Sequence, residues 1–263
     1  KKGWQNRNRI RTKNDTTLLS IPVHAHSYPN INEITIDNNK NWAKRHKKSI
    51  LFNYAKAPYF EEFKDFIESV FEKKFEYLAD LNTEIIKFIM NELEIKPKIV
   101  FSSNLNISKK GSDRVLEICK AVDADYYITG TVWAQSHLRI EEFKKSNIHV
   151  EFQEFQHPVY KQIHGKFIPK MSIIDLLFNE GRDGAKEILQ NSIVKNSDSK
   201  KRRWNEPAAF HFYSEIKDYM RSMIIAGAMP PAAHIVTRPY LPPERSSSSS
   251  AVPISMEPVA PIG

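Results

Sequence analysis

His157, His164 and Asp175 are the residues of this chain whose types and spacing best suit acid-base chemistry. They stand in a block, EFQEFQHPVYKQIHGKFIPKMSIIDLLFNEG over residues 151–181, that also holds Tyr160, Gln162 and Ser172 between short apolar runs. His157-Pro158 and His164-Gly165 each join an imidazole to a residue that fixes or frees the backbone, a means of holding a side chain at one angle in a loop. Either histidine paired with Asp175 could serve as a general base, the carboxylate setting the tautomer and raising basicity. Asp175 has a plainer alternative within SIIDLLF, as a cap or a partner for backbone donors. Two histidines and a carboxylate could hold a metal, but no regular ligand spacing supports one, so no metal is expected.

Two further groups could bind a substrate. If RNRIR is extended, Arg7, Arg9 and Arg11 share one face, and three guanidiniums together suit phosphate or carboxylate; an edge strand protected by charge is the plain alternative. In the helix expected from Asn41, Trp42, His46, Ser49 and Asn53 recur at spacings of four, three and four and so line one face, either a pocket wall or a half-exposed surface. Tyr160, Gln162 and Gly130 complete the candidate binding set. No phosphate-binding Gly-Lys loop, dinucleotide fingerprint, G-x-S-x-G or H-E-x-x-H occurs, so the common cofactor and hydrolase classes have no positive support and the cofactor is left open.

These residues need elements to place them. TLLSIPVH and INEITID read as short strands in an antiparallel unit. NWAKRHKKSILFNY, YFEEFKDFIESVFEKKF and EYLADLNTEIIKFIMNEL repeat apolar residues at helical spacing, with Pro58 separating the first two. From residue 97, PKIVFSSNL, SDRVLEICKAV, DYYITGT, RIEEFKKSN and IHVEFQEF alternate strand and helix. The expected fold is therefore α/β, with N-terminal short strands, a helical segment, then strand-helix units forming a parallel or mixed sheet. In such a sheet, ligands sit beyond the C-terminal strand ends, here near Ser102, Ser103, Asn104, Thr129, Gly130 and Thr131.

Composition bounds the rest. With 263 residues, 41% hydrophobic and 11% aromatic, the chain can bury a substantial core. It shows no apolar run near the roughly 20 residues that span a bilayer and no secretion signal, so a cytoplasmic location is expected. Cys119 lies on an apolar helical face and is read as a core thiol. The net charge of +8 suits an anionic partner, yet the lysines are dispersed among acidic residues, which argues against a nucleic-acid-binding face. After about residue 195 the chain changes character: a charged linker with a possible short helix over 196–230, then a Pro/Ser-rich tail over 231–263 that is expected to be disordered. Nine of the 15 prolines fall in the last 57 residues, with a five-serine run at 246–250.

The motifs WQNRNRIRT, W-x-x-x-H-x-x-S-I at Trp42 to Ile50, NYAKAPYF at 53–60, EYLADLN at 76–82 and the 151–181 block together resemble the WbqC-like proteins of bacterial surface-polysaccharide gene clusters. The resemblance covers residues 1 to about 195 and strengthens Arg7 and the Trp42–His46–Ser49 face as binding residues. It implies a further N-terminal portion ahead of Trp4, rich in aromatics, that this chain lacks. It departs at GTVWAQSHL, where bulky Val132-Trp133 occupies the expected small-residue turn and His137 replaces a tyrosine. What it implies is a transferase on a nucleotide-linked amino sugar, by acyl or aminoacyl transfer, in O-antigen or similar polysaccharide synthesis. In that scheme His157 or His164 is the base, Asp175 orients it, and Arg7 with Arg9 holds the diphosphate. The alternatives are a non-catalytic sugar-nucleotide-binding or scaffold protein of the same pathway, or a nucleic-acid-binding module.

Overall fold

A computed structural model of the chain describes residues 5–24, 30–130, 136–153 and 156–192. The linker and tail expected over 196–263, together with Thr131, Val132, Trp133 and Ala134, lie outside them.

The chain starts with a hairpin. Strand β1 (Arg7–Arg11) pairs antiparallel with β2 (Thr16–Ser20), from Arg7 opposite Ser20 to Arg11 opposite Thr16. The turn residues Thr12-Lys13-Asn14-Asp15 close it through the Thr12 amide on the Asp15 carbonyl (2.8 Å) and the Asp15 amide on the Thr12 hydroxyl (3.2 Å). A second antiparallel pair joins β3 (Val23–His24) to β4 (Thr35–Ile36). The strand expected over INEITID is shorter than its β-branched content suggested, because Ile31–Glu33 forms a 3-10 turn.

Helices α1 (Trp42–Tyr54), α2 (Phe60–Glu72) and α3 (Leu78–Glu92) follow as their spacing requires, burying Phe60, Phe63, Ile67 and Val70 from α2 and Leu78, Leu81, Ile85 and Ile89 from α3. After α3 the expected strand over 97–105 is not made. Pro97 to Phe101 form no ladder with another described strand, and Ser102–Leu105 is a 3-10 turn. Then come α4 (Gly111–Ala121), β5 (Tyr126–Gly130), α5 (Ile140–Lys145) and β6 (His149–Gln153), with β5 and β6 parallel. This βαβ unit has its own core of Val115, Leu116, Cys119, Tyr127, Phe143 and Ile148. Asp123 and Asn147 take left-handed conformations just past α4 and α5, so that the next amides, of Ala124 and Ile148, reach back to the carbonyls of Cys119 and Phe143 (both 2.9 Å).

The element that organises the main core is α6 (Ile173–Asn191), which the sequence pattern did not show as a helix. Its Phe178 ring is fully buried against Tyr54 of α1 and Phe60 and Phe63 of α2, with centroids 5.2, 5.1 and 5.9 Å away. The helix is interrupted at Gly181 (φ 70°, ψ −173°), a region open essentially to glycine alone. A Cβ there would lie 2.8 Å from the Tyr59 ring, while the Tyr59 amide donates to the Phe178 carbonyl (3.0 Å). Glycine at 181 therefore permits both the bend and the close seat of the α2 N-terminus. Gly181→Ala should destabilise the fold by about 2–3 kcal/mol; urea denaturation within about 0.5 kcal/mol of the parent would contradict that packing.

Candidate active site

Asp175 is the third residue of α6 and is wholly buried. The helix begins where Ser172, extended at φ −58° and ψ 150°, donates its amide to the Arg9 carbonyl of β1 (2.7 Å) and accepts the Asp175 amide on its own carbonyl (2.9 Å). Three side chains converge on the carboxylate. The Tyr54 hydroxyl donates to Oδ1 (2.6 Å); the Tyr160 hydroxyl (2.7 Å) and Gln162 Nε2 (2.8 Å) donate to Oδ2. Burial pushes the Asp175 pKa up, and the three donors with the nearby Arg11 charge pull it back without cancelling the rise. Burial and the adjacent carboxylate push the Tyr54 phenol well above its ordinary value, so the proton in their hydrogen bond stays on tyrosine.

Arg11 continues the network. Its amide donates to the Tyr54 oxygen (2.8 Å). Its guanidinium is also buried, with Nη1 on the carbonyls of Thr12 and Asp15 (2.6 Å each) and Nη2 on those of His164 (2.8 Å) and Lys166 (3.2 Å). Gly165 between those carbonyls sits at φ 53°, with Arg11 Nη2 3.4 Å from where a Cβ would stand. Gln162 folds the same loop by exchanging hydrogen bonds with the Ile168 backbone in both directions (2.9 Å each). Tyr160 and Gln162, expected to bind substrate, thus hold Asp175 and the loop.

The two histidines part company. The Lys170 amide donates to His157 Nε2 (2.9 Å), which leaves the proton on Nδ1, and Nδ1 donates to the Pro158 carbonyl (2.9 Å). Both nitrogens of a neutral ring are engaged, and burial lowers its pKa. His164 is half-buried, and its Nε2 lies 2.9 Å from the Asn53 carbonyl. A carbonyl only accepts, so Nε2 carries the proton and the Nδ1 lone pair is uncommitted among the described residues. The expected pairing of a histidine with Asp175 is not made: tyrosines and glutamine hold the carboxylate, and His164 is set by a backbone carbonyl of α1. Asp175 likewise is not a backbone cap through its side chain.

On α1 the expected polar face points inward. Trp42 is 2% exposed, donates Nε1 to Asn38 Oδ1 (3.2 Å), and meets the His46 and Phe71 rings edge-on. His46, buried beside it, bonds the Ser20 backbone, and burial drops its pKa to about 4. Asn53 is buried, its side chain on the Ser49 carbonyl (2.8 Å), and Ser49 is half-buried. Trp42 is therefore not an open stacking surface. The arginine face is corrected too: Arg9 is exposed, Arg7 is half-buried, and Arg11 is buried with both Nη atoms on carbonyls and so is unavailable to an anion. Gly130 ends β5 in the separate βαβ unit, where Thr129 is buried.

Hairpin, helices, βαβ unit and buried carboxylate define an α/β protein with one loop held over the start of its last described helix. The chain belongs to the WbqC-like protein family, whose model matches residues 1–187. Over 187 residues it is 30% identical to a protein of Mycobacterium tuberculosis (strain ATCC 25618 / H37Rv) named "Uncharacterized protein Rv1507c", which covers 70% of this chain and 80% of that one. No solved structure matches it.

His46 makes a pH prediction. Its folded pKa of about 4 lies below the unfolded 6.5, so the neutral ring contributes stability above pH 6.5 that is lost as pH falls through 4. The difference corresponds to about 3 kcal/mol. Urea unfolding at pH 7 and pH 4 should show this loss in the parent and a flatter profile in His46→Gln; equal slopes would contradict the assignment.

Proposed function

We propose that the protein is a cytoplasmic transferase acting on a nucleotide-linked amino sugar in surface-polysaccharide (O-antigen) assembly, by acyl or aminoacyl transfer. Membership of the WbqC-like family supports the pathway, and no helix among the described residues is long and apolar enough to cross a membrane. The observation that carries the chemistry is His164, whose Nε2–H is anchored on the Asn53 carbonyl while Nδ1 keeps a lone pair.

As the sugar amine nitrogen attacks the donor carbonyl, Nδ1 takes its proton, the amide C–N bond forms, and the donor's thiolate or alkoxide leaves and receives that proton. The imidazolium formed in between keeps Nε2–H on the Asn53 carbonyl, which stabilises its charge. Asp175 acts at a distance, through Tyr54 and Arg11, by holding the His164 backbone. Exposed Arg9 and half-exposed Arg7 are the cations left for the diphosphate.

A non-catalytic sugar-nucleotide-binding protein is favoured instead by one observation. Asp175, Tyr54, Gln162 and both nitrogens of His157 are engaged within the protein, leaving little acid-base capacity for chemistry.

Incubating the chain with a nucleoside-diphosphate-linked amino sugar and acyl or aminoacyl donors, with mass detection of the acylated sugar, separates the two. The transferase reading expects product, at least about 100-fold slower in His164→Ala with the melting temperature nearly unchanged. His157→Ala should chiefly lower the melting temperature, since two backbone groups lose their partner. Binding with no product for any donor, or full activity in His164→Ala, would contradict it.

A further inference from the structure

Helix α1 carries Lys44, Arg45, Lys47 and Lys48, and no aspartate or glutamate stands anywhere from Asn41 to Phe60. Helix α2 beside it is the opposite, with Glu61, Glu62, Asp65, Glu68 and Glu72 against the single Lys64. The two exchange charge along one side of α1, where Lys47 reaches Glu72 (3.0 Å) and Glu68 (3.8 Å). Trp42, His46, Ile50 and Tyr54 are buried, which fixes the rotation of the helix and leaves another face outward. On that face Lys44, Lys48, Phe52 and Arg45 fall within about 100° of the circumference, and all four are exposed. Ala55 at the helix end lies between them in rotation, and Lys56 follows in the turn; both are exposed. Lys44, Arg45, Lys48 and Lys56 have no ion pair among the described residues. Phe52 is 84% exposed, the most open large apolar side chain described. A lone exposed phenylalanine is ordinary on a protein surface, but one set among unpaired cations on an acid-free helix face is not.

We propose that this outward face of α1 docks on an anionic phospholipid bilayer, with Phe52 entering the boundary of the acyl chains and Lys44, Arg45, Lys48 and Lys56 on the headgroup phosphates. Charge complementarity selects the occupant. The four cations need anions from outside the described residues, and a bilayer bearing acidic lipids supplies them as a plane that a helix face can meet along its length. Lysine and arginine stems can lie along the apolar boundary while their charged ends stay in the headgroups, which lets Phe52 insert between them. The side chain that projects furthest is phenyl, with no polar edge, and it gains by leaving water. A single-stranded nucleic acid fits less well, because it stacks successive bases on several rings and this face holds one. The lysines dispersed among acids elsewhere in the chain are here segregated, so the local surface departs from the charge pattern of the whole. Asn53, whose carbonyl holds His164 Nε2, directly follows Phe52, so the docking face and the candidate active site meet at adjacent residues. The face itself uses no residue of that site, and the inference stands apart from the transferase reading.

Co-sedimentation of the full chain with vesicles of phosphatidylcholine alone, and of equal parts phosphatidylcholine and phosphatidylglycerol, tests it. The chain should pellet with the anionic vesicles, remain in solution with the neutral ones, and be released as salt is raised. Each cation in the headgroup layer strengthens partitioning about fivefold, so Lys44→Gln with Lys48→Gln should weaken binding about 25-fold. Phe52→Ala should weaken it about tenfold. All three positions are exposed, and the melting temperature of each variant should match the parent. Absence of binding to anionic vesicles would overturn the proposal. So would equal binding by parent and variants, which would move the contact to another basic run such as residues 200–203. Phe52-dependent binding to a single-stranded oligonucleotide with none to vesicles would overturn it in favour of nucleic acid. None of these results bears on turnover by His164, and loss of turnover in His164→Ala leaves vesicle binding as it was.

Discussion

The Asp175 carboxylate is a charge-bearing group placed where no water reaches it, and the main body of the protein is arranged to make that tolerable. An unpaired buried carboxylate is strongly destabilising, whereas hydrogen bonds to a charged group contribute about 1.5–3 kcal/mol each. Tyr54 from α1, Tyr160 and Gln162 from the loop and, one step removed, Arg11 from β1 all answer to it. Four segments distant in sequence are thereby tied at one point. Phe178, one turn further along α6, secures the same helix against α1 and α2 by apolar packing. Position along α6 thus fixes both the polar and the apolar halves of the core.

The loop over 156–172 is held in consequence. Its carbonyls at His164 and Lys166 lie on Arg11, Gln162 bridges it to Ile168, and His157 clips Pro158 to Lys170. What the loop leaves uncommitted among the described residues is the Nδ1 of His164, and the hairpin it is tied to carries exposed Arg9 and half-buried Arg7. A rigid loop presenting one uncommitted imidazole nitrogen is the arrangement that preorganised proton transfer needs. The same rigidity would serve a binding protein, so product formation, not geometry, separates the two readings.

Much of this was legible in the residues. The three- and four-residue spacing of Phe60, Phe63 and Ile67, or of Leu78, Leu81 and Ile85, reports helices with one buried face, and α2 and α3 have one. Helix α6 escaped because Ile173 to Phe178 are buried all round, which erases the amphipathic period, and because Gly181 and Gly184 read as breakers. The block rich in histidine does supply Tyr160 and Gln162 to the Asp175 carboxylate, yet proximity in sequence suggested a histidine for Asp175. The partner that took Oδ1 was Tyr54, 121 residues away, which no local pattern could name. Arg11 departed from the alternation of its strand because the hairpin turn and the loop offered it four carbonyls.

The account turns on Asp175 and Tyr54 acting together as the joint between α6, α1 and, through Arg11, the His164 loop. A double-mutant cycle of Tyr54→Phe and Asp175→Asn, read by urea unfolding at pH 7, measures that joint directly. The account predicts a coupling free energy of about 1–3 kcal/mol between the two sites. Additive effects, with coupling near zero, would contradict it.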